Sequence, residues 1–203
     1  MEYWNDLITE RSWKILQEIK GKFNFILIGG WANYLWTRKF KSKDIDIVID
    51  FETLDKLKKE YNLRKNDVLK KYEIKIDEID IDIYVPFYSN LTIPLEKLRK
   101  TKIENFDVVK IEDLLILKQG ATIDREYSEK GKKDILDILS SLFYCEIDFE
   151  DYLNRLKELK REEFYDRLTN IIKDFQGYNY FNLTPRELKL KKEKLLVLLK
   201  KTK

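Results

Sequence analysis

Histidine is absent from all 203 residues. That excludes Ser-His-Asp and Cys-His nucleophiles, histidine acid–base catalysis and His-ligated zinc. The single cysteine, Cys145, allows neither an intrachain disulfide nor a Cys-x-x-Cys site. No apolar run approaches the roughly 18 residues of a membrane span. The opening Met1-Glu2-Tyr3-Trp4-Asn5-Asp6 does not read as a secretory signal. A soluble, cytoplasmic protein with no membrane partner is therefore expected. Neither sign of charge prevails: 40 Lys+Arg stand against 37 Asp+Glu, a net +3 that does not by itself indicate a nucleic-acid or membrane partner. Chemistry is left to carboxylates, lysines, hydroxyls, backbone amides and bound metal.

What is present suffices for a core, since 43% of the residues are hydrophobic. The spacing of Leu7, Ile8, Trp13, Ile15, Leu16 and Ile19 predicts a helix from Trp4 to Ile19, ended by Gly21. Phe23 to Ile28 is a short apolar run stopped by Gly29-Gly30, the pattern of a buried strand. A short helix from Trp31 to Arg38, a basic loop and an alternating strand from Asp44 to Ile49 follow. Thr53 to Glu60 reads as a helix with Asp50 or Thr53 as its cap. Tyr72 to Val85 alternates as one or two strands. Helices are expected over 111–123 and 134–143 and throughout the chain after Phe149, the last behind Thr184-Pro185. The order implies an α/β (α+β) fold, a small mixed β-sheet with flanking helices and an α-helical C-terminal half. The expected domains are 1–110 and 111–203.

Three segments carry candidate chemistry. Gly29-Gly30, between a strand and a helix, lets backbone amides approach a phosphate, although a plain tight turn uses the same residues. In Ser42-Lys43-Asp44-Ile45-Asp46-Ile47 the two carboxylates leave one strand face together, an arrangement relieved by a hard cation and equally usable as a polar sheet face. Glu78-Ile79-Asp80-Ile81-Asp82-Ile83-Tyr84 repeats the alternation. Were it to lie beside the Asp44 strand, a third carboxylate would complete a two-metal site.

Together, Gly29-Gly30, Asp44-Ile45-Asp46 after thirteen intervening residues, and a later Asp on an apolar strand resemble the DNA polymerase-beta-like nucleotidyltransferase superfamily. A second stretch, Asp113-Leu114-Leu115-Ile116-Leu117-Lys118, then Ala121, Arg125 and Lys133-Asp134-x-x-Asp137-Ile138, is similar to the abortive-infection-type (AbiEii-like) prokaryotic nucleotidyltransferases. The resemblance covers about 23–142. It implies an enzyme moving a nucleoside monophosphate from an NTP to a hydroxyl of an RNA end (tRNA included), a protein or a small molecule. It implies Asp44, Asp46 and Asp82 as catalytic ligands of Mg²⁺ or Mn²⁺, with Asp80 the other candidate for the third carboxylate. Gly29, Gly30, Ser42, Lys118 and Asp134 are implied to bind nucleotide, Lys118 at a phosphate, with Arg125 a further candidate and the helical half completing the pocket. A toxin–antitoxin role, with an antitoxin partner or a homodimer, also follows from it. Lys39 and Lys41 stand where many relatives carry an arginine. Two other readings stay open: a catalytically idle, antitoxin-like partner of the same fold, and a generic α/β interaction protein.

Overall fold

A computed structural model of the protein describes residues 5–125 and 128–202. Their packing divides the chain between Lys110 and Ile111 into a sheet unit and a helical unit.

In the sheet unit, helix α1 (Asp6–Lys22) is capped by Asn5, whose side chain accepts the Leu7 amide at 2.9 Å. Trp4, the expected start, lies outside the described residues. Gly21 does not end this helix. It sits in open space in the last turn, where its conformational cost is tolerated, and the chain becomes extended only at Phe23. Strand β1 (Ile26–Ile28) runs straight into α2 (Gly29–Thr37), which stops at Arg38 in the left-handed conformation. Strand β2 (Ile45–Val48) leads to α3 (Phe51–Glu60), with Asp50 accepting the Thr53 amide at 2.8 Å. Then come β3 (Arg64–Asn66), β4 (Lys71–Ile76), β5 (Ile79–Tyr84), β6 (Lys100–Ile103) and β7 (Phe106–Val109).

The seven strands form one mixed sheet in the order β3-β4-β5-β2-β1-β7-β6. The central pairings β2–β5 and β1–β7 are parallel, while β1–β2 and the outer hairpins are antiparallel. Ile45, Ile47, Ile79, Ile81 and Ile83 are at most 1% exposed, so one half of each alternation is entirely inside. Period-two geometry then sends Asp46, Asp80 and Asp82 to the opposite face. Helix α2 packs on β1 and β2, and α1 on β5. The buried Trp31 indole donates to Ser12 Oγ at 2.8 Å and stands 5.0 Å from the Trp13 ring, joining α1 to α2. Strands β3, β6 and β7 were not among the sequence expectations. Arg64-Lys65-Asn66 and Lys100-Thr101-Lys102-Ile103 are polar edge segments with no apolar alternation to read. Phe106–Val109 is too short to stand out, although it pairs centrally with β1.

The helical unit contains α4 (Ile111–Asp124), α5 (Glu129–Tyr144), α6 (Phe149–Leu159), α7 (Glu163–Asp174) and α8 (Pro185–Thr202). Helix α4 touches α5, α6 and α7 and is buried on nearly every side. Its polar residues are consequently inside and need internal partners. Arg155 meets Asp113 through two bonds of 3.1 and 3.2 Å, and the Gln119 amide donates to the Tyr152 hydroxyl at 2.7 Å. Helix α8 opens with a reciprocal cap. The Thr184 amide donates to Glu187 Oε2 at 2.7 Å, and the Glu187 amide to Thr184 Oγ1 at 3.2 Å. Burial pushes the half-buried Cys145 thiol up to about 11, so it stays protonated at neutral pH. Among the described residues no helix is long and apolar enough to cross a membrane.

Candidate active site

The register of three strands builds the site. Asp46 is the cross-strand partner of Ile28 on one side and of Asp82 on the other. The end of β1, where the Gly-Gly turn starts, is thus in line with two carboxylates. Gly29 has φ +66, and a Cβ there would fall inside the Asp46 carboxylate. A Cβ on Gly30 would strike the Ser42 hydroxyl, which itself donates to the Asp44 carbonyl at 3.0 Å. Both glycines are therefore required by contact with predicted site residues. No side chain caps α2, so its first amides point out of the turn without a capping acceptor.

Asp44 lies one residue before β2, two before Asp46, and its charge reaches Asp82. Burial raises the Asp82 carboxyl above the ordinary range, and the Glu73 and Asp44 carboxylates add to the shift. Asp80 shares that face, but its side chain is 50% exposed and 3.8 Å from Lys75, whereas that of Asp82 is 16% exposed. Of the two, Asp82 is the one in register with Asp46.

Lys71 was not foreseen. Its ammonium lies 2.6 Å from Asp82 Oδ2 and 3.2 Å from Glu73 Oε1. Burial alone would lower its pKa, but the two carboxylates outweigh that and raise it. A signal did exist. The β4–β5 turn at Asp77-Glu78 sets Glu73 directly opposite Asp82 and brings Lys71 onto the same face. The all-oxygen donor set of Asp44, Asp46 and Asp82 suits Mg²⁺ or Mn²⁺. Among the described residues no three acidic side chains are gathered closely enough to hold an ion, and Asp82 is paired with Lys71.

In the helical unit, Lys118 is buried, with its ammonium 2.7 Å from Asp134 and 2.7 Å from Asp137. Lys118 therefore does not stand at a solvent-exposed end of α4. Burial alone would lower the ammonium, but the two carboxylates prevail and hold it above its usual value. Lys133 pairs with Asp137, and Arg125 approaches Asp134 at 3.5 Å. Burial lowers Lys133, with the Lys118 charge contributing. This network makes Lys118 part of the packing of the helical unit. Lys118→Ala is expected to lose about 1.5–3 kcal/mol, the worth of charge-assisted hydrogen bonds, with Lys133 and Arg125 limiting the damage. Denaturant titration of variant and wild type checks it, and equal midpoints would refute it.

No family model matches the sequence. Among curated proteins the chain is 24% identical over 159 residues to the pre-mRNA-splicing factor CLF1 of Candida glabrata. That match takes in 75% of this chain and 20% of the factor, so the chain spans about a fifth of that protein's length. Two crystal structures from Helicobacter pylori are similar in fold. One is JHP933, 20% identical with a TM-score of 0.53, covering 97% of this chain and 93% of that one. The other is a provisionally named nucleotidyltransferase, 17% identical with a TM-score of 0.54, covering 98% and 96%. The chain thus shares, over nearly its whole length, the fold of a nucleotidyltransferase-like protein.

Proposed function

We propose that this protein is a nucleotidyltransferase that moves a nucleoside monophosphate from an NTP to a hydroxyl. The supporting observation is the row formed by the Gly29 turn, Asp46 and Asp82 across three neighbouring strands. In this reading the uncapped amides of α2 hold the triphosphate. Asp44, Asp46 and Asp82 would hold Mg²⁺ or Mn²⁺, which supplies charge neutralisation at the phosphates and at the attacking oxygen. The acceptor oxygen bonds to the α-phosphorus, the bond to the bridging oxygen of the β-phosphate breaks, and pyrophosphate leaves. The hydroxyl proton passes to the Asp82 carboxylate, the one in register with Asp46. Nothing in this scheme needs histidine or a thiol. A role for Lys118 at a phosphate requires its ammonium to exchange a carboxylate partner for the nucleotide. The acceptor hydroxyl belongs to an RNA end, tRNA included, to a protein or to a small molecule, and an AbiEii-like toxin–antitoxin pair is the setting that the sequence resemblance implies.

One observation favours a second reading, an idle partner of the same fold: Lys71 already neutralises Asp82. Incubation with each α-³²P-NTP, Mg²⁺, total tRNA and cell lysate separates the two. Label on an acceptor with release of pyrophosphate is the expected result. NTP binding without any label transfer would establish the idle reading instead.

A further inference from the structure

Cross-strand neighbours run in one row over the polar face of the sheet: Arg64 on β3, Glu73 on β4, Asp82 on β5 and Asp46 on β2. Glu73, Asp82 and Asp46 are carboxylates in consecutive places, and like charges directly opposite one another destabilise a sheet. Lys71 relieves this from outside the row. It stands two residues before Glu73 on β4, on the same face. Its ammonium reaches both carboxylates, at 2.6 Å from Asp82 Oδ2 and 3.2 Å from Glu73 Oε1. The Lys71 side chain is 12% exposed and that of Asp82 16%, so water does little of the neutralising. Lys75 on the same strand is the contrast. It stands directly opposite Asp80 at 3.8 Å, with both side chains half exposed or more. That is an ordinary surface pair of small worth.

The two partners of Lys71 are not alike. Asp82 is in register with Asp46, inside the candidate metal set. Glu73 lies one strand further out and accepts the Asn66 amide at 2.9 Å. Glu73 is therefore placed to keep the ammonium when Asp82 takes another cation. A divalent ion on the Asp82 carboxylate would face the ammonium across one carboxyl group, and the two cations repel.

We propose that Lys71 is a positioning residue that competes with the divalent cation for Asp82: its ammonium holds this carboxylate until the cation arrives, and then keeps Glu73 alone. The proposal rests on the nucleotidyl-transfer reading, in which Asp82 is a metal ligand. It makes the amount of cation the site needs a property of β4, a strand that supplies no ligand itself.

Mn²⁺ alone is the probe. Its binding to the full chain is read from loss of the free-ion electron paramagnetic resonance signal, without nucleotide or turnover. Lys71→Met should bind Mn²⁺ about 10- to 150-fold more tightly than wild type, the worth of the charge-assisted contact that the ion no longer displaces. Lys71→Arg keeps a tethered cation and should stay near wild type. Lys71→Gln, which leaves Asp82 a neutral donor, should also bind more tightly and carries the test if Lys71→Met does not fold. Glu73→Gln should weaken binding where Lys71 is present, because the displaced ammonium then has no second carboxylate. In the Lys71→Met background it should have little effect. Wild-type affinity in the folded Lys71→Met or Lys71→Gln variant, or an equal effect of Glu73→Gln in both backgrounds, overturns the proposal. Asp44→Asn keeps the two failures apart. If it weakens Mn²⁺ binding while loss of Lys71 changes nothing, the proposal alone falls; if it leaves binding unchanged, the metal-site reading falls and takes the proposal with it.

Discussion

Asp44→Asn is expected to abolish nucleotidyl transfer while leaving the fold at least as stable as wild type. Loss of a ligand that places a metal on the phosphates removes several kcal/mol of transition-state stabilisation. At about 4 kcal/mol the rate falls roughly 1,000-fold. The stability half of the expectation has its own cause. Asp44 is one of the charges that raise Asp82, so removing it relieves repulsion inside a partly buried acidic group. The same linkage fixes the sign of a pH effect. A carboxyl raised in the folded state binds its proton more tightly there, so its contribution to stability is present below its ordinary pKa. That contribution is lost as pH rises through the folded value. Asp44→Asn should make that loss smaller. A turnover assay and a thermal melt, both across pH, read the two halves. Wild-type turnover in the variant would remove Asp44 from the catalytic set, and a large drop in melting temperature would make it a structural residue.

Arg155→Met is expected to be the most destabilising change in the helical unit. The guanidinium meets Asp113 at 3.1 and 3.2 Å, with both side chains almost wholly inside. Stripping a buried carboxylate of its cationic partner costs about 3–5 kcal/mol. The pair itself is worth far less, because both charges gave up water to form it. Asp113→Leu combined with Arg155→Met should therefore recover most of the loss, although Arg155 also holds Glu158 at 2.6 Å. Denaturant unfolding of the wild type, the two single variants and the double variant decides it. A double variant as unstable as the sum of the singles would show that the pair is needed for more than mutual neutralisation.

The two halves of the molecule differed in how much their sequence disclosed. Ile45-Asp46-Ile47 and Ile79 to Ile83 announce a half-buried strand because period two separates charge from core at every step. Asp50 and Thr184 announce helix starts because their side chains accept amides that the helix leaves unpaired. Helix α4 announced its existence but not its surroundings. A segment buried on nearly every side has no polar face to read, so the partners of Asp113, Lys118 and Gln119 stayed hidden.

By itself the sequence determined the local facts: which residues alternate, that helices start behind Asp50 and Thr184 although α5 begins at Glu129 and not at Asp134, and that histidine and Cys-His chemistry are excluded. Tertiary structure decided which strands are neighbours. Parallel pairing of β2 with β5 spans more than thirty residues, and no local pattern specifies such a contact. That pairing, and not the alternation, sets Asp46 beside Asp82. The β4–β5 hairpin then supplies Lys71 to the same carboxylate. Alternation establishes that a charge leaves the sheet on a given face. What it meets there depends on register, and register is settled by the packing of the opposite, apolar face.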